Sequence, residues 1–242
     1  MDRAGAAPSP TASRLARELV RGSRADALVP ELERWLAGSA RFRDFATANE
    51  SKIRKKLRGA ADPDALRDVR LELEVARLLI ADRRVVLEWE PFGSASGGPD
   101  FGLTLPGLRS VNVEVTRLRR PAATAEAGVP WLAKLRQLPP GAPNIVVAAI
   151  DGPTADALDV AASVLRVRER ADAKDEAFFA ARGIAGSRAF YGRFLRLGAV
   201  LSWAQGGAGA NRVAVWRHGS ARIPVPDRIV RACEAALRDG GP

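Results

Sequence analysis

Seven residues, 144 to 150, read NIVVAAI and follow the helix breaker PPGAP. A continuous apolar run of this length is expected of a strand buried on both faces. Such a strand needs paired neighbours and cover above and below, which points to an α/β fold. Its apolar part, Ile145 to Ile150, is also the longest uninterrupted apolar run in the chain, far short of the roughly 20 residues needed to span a bilayer. No membrane partner is expected.

A second strand, Ser110 to Leu118, alternates strictly. Val111, Val113 and Val115 go to one face, and Asn112, Glu114 and Thr116 go to the other. With FGLTL and the short turn PGLR it makes an antiparallel hairpin, preceded by a strand in VVLEWEPFG. Ahead of these, DPDALRDVRLELEVARLL reads as a helix with Asp62 as its cap and Pro63 in its first turn, and PWLAKLRQL as another helix. The order is helix, three strands, helix, strand. A helical pattern covers 25 to 60, and beyond Ile150 come helical stretches, strands at GAVLSWA and RVAVWR, and a terminal helix. The expected segments are a disordered tail at 1–12, a basic helical segment at 13–60, a core at 61–152, and a C-terminal α/β extension at 153–242 packed on that core.

Among 242 residues there is one cysteine, so no intrachain disulfide can form, and no secretory signal stands at the start. Both fit the cytoplasm. The net charge of +10 suits a polyanionic partner such as nucleic acid, because cations set against phosphates release condensed counterions. Of the 38 basic residues 33 are arginine, which also fits the coding bias of a GC-rich genome.

A single histidine and a single cysteine exclude the usual His/Cys zinc site, and no G-x-S-x-G elbow is present. Carboxylate chemistry remains. On the helix from Asp62, Val69, Val75, Ala76 and Leu79 fall within about 60° of Glu72 at about 100° per residue, so Glu72 points into the apolar face. Glu74 falls among Arg67, Arg70 and Arg77 and is expected to face solvent. An inward carboxylate calls for a metal ion or a basic partner. Glu72, Asp100 and Glu114 together would suit a hard cation, Mg²⁺ or Mn²⁺.

A helix with an inward Glu, a strand, "PD" before a second strand and "E-V-x" closing a third resemble the PD-(D/E)XK nuclease superfamily, with its restriction-endonuclease-like fold. The resemblance runs from about Lys52 to Ile150. It implies that Asp100 and Glu114 ligate the metal and that Glu72 is either an auxiliary ligand or an acid that supports the ligands from behind. The family's lysine two residues after the second acid is here Thr116, which cannot supply positive charge. Lys134 on the following helix is the candidate replacement, with Gln137 one turn later on nearly the same side. Arg117, one residue on from Thr116, points to the opposite face.

The implied activity is metal-dependent hydrolysis of phosphodiesters in nucleic acid. The basic stretch ESKIRKKLRGA, with Lys52, Lys55, Lys56 and Arg58, and the strand end with Arg117, Arg119 and Arg120 would hold the backbone. The alternative is a catalytically inactive module of the same fold that binds nucleic acid or a partner protein, with Thr116 marking the loss. A homodimer would suit a nuclease that cuts both strands, but no segment identifies an interface.

Overall fold

Caps and breakers divide the first eighty residues into successive helices in the computed structural model, which describes residues 9–93, 97–118, 130–150, 159–204 and 211–240. The helices are α1 (Pro10–Val20), α2 (Val29–Gly38), α3 (Ala40–Ala48), α4 (Glu50–Gly59) and α5 (Pro63–Leu79). The pattern over 25 to 60 is therefore three helices. Ser39 separates the first two by accepting the Phe42 N–H at 3.1 Å, and Asn49 stands between α3 and α4. Asp62 caps α5 as expected, its Oδ1 accepting the Ala65 N–H at 2.8 Å. Leu19, Leu32, Leu36, Phe42, Ile53 and Leu57 are all buried in this helical unit.

The chain forms two compact units, Met1–Ala81 and Asp82–Pro242. Helix α5 thus falls with the helices before it, whereas the expected segmentation grouped it with the strands from 61 onward. Ion pairs tie α5 to its own unit. Arg70 grips Glu31 of α2 through Nε at 2.7 Å and a terminal amino group at 2.6 Å, and also reaches Glu74 at 3.1 Å. The guanidinium groups of Arg70 and Arg77 lie 5.7 and 5.4 Å from the ring centre of Trp35. Glu74 therefore does not face solvent as the helical wheel implied. It is only 7% exposed, because the arginine side of α5 is covered by α2.

The second unit carries a six-stranded mixed sheet in sequential order: β1 (Val86–Trp89), β2 (Phe101–Thr104), β3 (Val111–Leu118), β4 (Asn144–Ile150), β5 (Leu197–Ala204) and β6 (Arg212–Arg217). The pairs β1/β2, β2/β3 and β5/β6 are antiparallel, and β3/β4 and β4/β5 are parallel. Parallel neighbours need long crossovers. The first contains α6 (Pro130–Lys134) with a 3₁₀ turn at Leu135–Gln137, and the second contains α7 (Val160–Asp172), α8 (Glu176–Ala180) and α9 (Ser187–Phe194). Asn144 to Ala149 are buried throughout, as a strand enclosed by parallel partners requires.

Val146, Ala148 and Val200 share one core with Trp131, Leu135, Val164, Phe179 and Phe194, so the crossover helices cover the sheet face that also carries Glu114. Helix α10 (Asp227–Asp239) packs against β5 and β6 through an apolar stripe that includes Ile229, Val230, Cys233 and Leu237. Strands β5 and β6 extend the sheet begun by β1 to β4, which fuses the C-terminal third to the strands before it. Among the described residues no helix is long and apolar enough to cross a membrane.

Candidate active site: a buried carboxylate and its lysine

Strict alternation sends Glu114 to the face of β3 that meets the crossover helices. Its register partner on β4 is Val146, and the residue is fully buried. A carboxylate in that position costs several kcal/mol unless it is paired. Lys134 supplies the pair, its Nζ donating to Glu114 Oε1 at 2.6 Å, a charge-assisted hydrogen bond. The lysine side chain is 25% exposed, so its stem crosses from the buried acid toward the surface.

The local sequence explains how α6 delivers this lysine. Trp131, Leu132 and Leu135 are buried, and α6 packs on β3 and β4. The Trp131 indole N–H donates to Ser163 Oγ of α7 at 2.9 Å, which fixes the rotation of α6. Gln137 follows on the 3₁₀ turn, half-buried. At three residues per turn, positions 134 and 137 share a side.

Asp100 stands immediately before β2. Its Oδ2 accepts the Val115 N–H at 2.8 Å, which brings this carboxylate against β3 beside Glu114. The β2/β3 ladder pairs Phe101 with Val113, and one further step sets Asp100 opposite Glu114. Asp100 O also accepts the N–H of Glu90 at 2.8 Å. Glu90 closes β1 with φ of 48°, a left-handed conformation that is costly for a residue preceding proline. The strand ends thus bring Glu90, Asp100 and Glu114 into consecutive positions across the sheet. Glu90 was not singled out in the sequence. Its signal was available in EWEPFG, where a carboxylate precedes the proline that ends a strand.

Thr116 continues the Glu114 face, with Ala148 as its partner, while Arg117 alternates to the other face and is half-buried. Glu72 belongs to the first unit, where Lys56 donates to its Oε2. Both side chains are largely enclosed, 14% exposed for the acid and 23% for the lysine. The inward carboxylate therefore has a basic partner on α4. Lys52 is half-buried, and Lys55 and Arg58 are exposed on the same helix. Arg119 and Arg120 lie outside the described residues.

The donor chemistry suits a hard cation at Asp100 and Glu114, since Mg²⁺ is commonly bound by one or two carboxylates, with water and substrate phosphate completing the shell. Among the described residues no group of three or more acidic, histidine or cysteine side chains is arranged to hold a metal ion. The chain matches no family model, no curated protein and no solved structure.

Proposed function

We propose that this chain is a metal-dependent, nuclease-like hydrolase of phosphodiester bonds in nucleic acid, built on a restriction-endonuclease-like core and acting in the cytoplasm. The observation that carries the reading is the Lys134 to Glu114 contact, with Asp100 held against the same strand. A helix after β3 delivers positive charge where Thr116 cannot. The chain order α5, β1, β2, β3, α6, β4 also follows the helix, three strands, helix, strand order that the family resemblance implies.

In this reading Asp100 and Glu114 would hold Mg²⁺ or Mn²⁺, whose chemistry is to lower the pKa of bound water and shield phosphate charge. Lys134 positions Glu114 and presents an ammonium to the charge that develops on the phosphate oxygens. Lys55 and Arg58, exposed on α4, add backbone contacts that carry no base specificity. Lys56 contributes less, because it is engaged with Glu72.

Cleavage of a panel of DNA and RNA substrates with Mg²⁺ or Mn²⁺ tests the proposal, with Asp100→Ala, Glu114→Ala and Lys134→Ala alongside. Loss in all three supports it. The enclosure of Glu114 by Lys134 favours a second reading, a non-catalytic nucleic-acid-binding module. Its signature is absence of cleavage with binding that weakens steeply as salt rises.

A further inference from the structure

The helical unit contains a cleft of about 360 Å³ lined by Gly22, Ser23, Arg24, Arg58, Ala60 and Ala61. Among the described residues no acidic side chain lines it. The turn after α1 forms one wall and the end of α4 the other, and Gly22 adopts φ of 75° to make that turn. Helix C-termini normally repel anions and recruit cations to their open carbonyls. Here three of those carbonyls are already served. Arg21 N–H donates to Glu18 O, Ser23 N–H and Oγ both donate to Val20 O, and Ala60 N–H donates to Lys56 O. Arg58 uses Nε alone, donating to Arg54 O at 3.3 Å, while Arg24 makes no ion pair or hydrogen bond among the described residues. Both arginines are exposed. Two guanidinium groups thus face a concave surface with donors left over after local structure is satisfied, and guanidinium is the side chain best matched to phosphate oxygens.

We propose that this cleft seats one backbone phosphate of a nucleic-acid strand between Arg24 and Arg58. The assignment rests on the nucleic-acid reading above but not on catalysis. It is independent of Asp100, Glu114 and Lys134.

The test is fluorescence anisotropy of labelled duplex DNA and single-stranded RNA against the full chain in EDTA, from low to moderate salt. Comparators are Arg24→Gln/Arg58→Gln, Arg24→Lys/Arg58→Lys and Ala61→Glu, which leaves both arginines but places a carboxylate in the cleft. One seated phosphate predicts that the Gln pair flattens the plot of log affinity against log salt by about 0.9 on duplex or about 0.7 on single strands. Ala61→Glu should flatten it similarly, and the Lys pair should restore most of it. Matching thermal midpoints for the variants would place the effect in binding. An unchanged slope in both the Gln pair and Ala61→Glu overturns the proposal, as does absence of nucleic-acid binding by the unmodified chain. Inorganic phosphate that raises the thermal midpoint only when both arginines are present, without any slope change, would assign the cleft to a small phosphorylated molecule and also overturn it. Glu114→Ala separates the two claims: retained cleavage in that variant refutes the active site while leaving the cleft standing.

Discussion

Replacing Lys134 with methionine keeps the stem that packs on the sheet and removes the ammonium that neutralises Glu114. Glu114 is fully buried and receives Lys134 Nζ at 2.6 Å. Breaking a buried pair from one side costs about 3–5 kcal/mol, because the remaining charge is left in a poorly solvating site. The lysine side chain is 25% exposed, so water enters near the pair and places the expected loss near the lower bound, about 3 kcal/mol. Glu114→Gln should cost less, about 1–2 kcal/mol, since the lysine it strands can turn to solvent. The double variant should cost less than the two single losses combined, with a coupling of about 2 kcal/mol. Urea unfolding followed by tryptophan fluorescence reads these values. With a slope of about 2 kcal/mol per M, Lys134→Met should lower the midpoint by about 1.5 M. A change below about 0.5 kcal/mol, or strict additivity, would refute a closed, desolvated pair.

Other expectations follow from groups around the sheet. Asn144, fully buried, donates through Nδ2 toward the carbonyls of Pro139, Ala142 and Arg196 at 3.0, 2.8 and 2.9 Å and accepts from Asn112, so Asn144→Ala should cost about 3 kcal/mol in urea unfolding. Burial lowers the pKa of His218, whose ring lies against Phe194 and Trp216 and whose Nδ1–H donates to Leu197 O at 2.8 Å. The unfolded chain therefore takes up that proton first. The contribution of His218 is full above the ordinary histidine pKa of about 6.5 and is lost as pH falls through the lower folded value, a dependence that His218→Gln should flatten. Burial also pushes the Cys233 thiol up to about 12, so a thiol reagent at pH 8 should react only after unfolding.

The sheet was legible wherever one residue pattern admitted one structure. Alternation in β3 sorts its side chains between two faces, although both are buried from Val111 to Val115, the continuous run in β4 marks a strand enclosed on both faces, and the capped start of α5 follows from Asp62 and Pro63. The placement of Lys134 was approachable for the same reason, since the buried positions Trp131 and Leu135 fix which side of α6 meets the sheet. Glu74 was misread because a helical wheel assumes one covered face, whereas α5 is also covered on its arginine side by Glu31 and Trp35. The partner of Glu72 was not legible, since the sequence left both a metal ion and a basic group open and the family resemblance favoured the metal. Lys56 lies sixteen residues earlier on a separate helix, and only packing of α4 against α5 brings them together. The closeness of Asp100 to β3 depends on the β2/β3 register, which the turn PGLR does not determine by itself.

Mixed DNA and RNA substrates incubated with the chain and Mg²⁺ or Mn²⁺, beside Glu114→Gln, bear on the nuclease assignment with the partly exposed Lys134 left able to turn to solvent. The account predicts cleavage by the unmodified protein, its abolition by EDTA, and at least a hundredfold loss, about 2.7 kcal/mol, in a Glu114→Gln protein that remains folded. No cleavage of any substrate by the unmodified protein, or full cleavage by the variant, would contradict it.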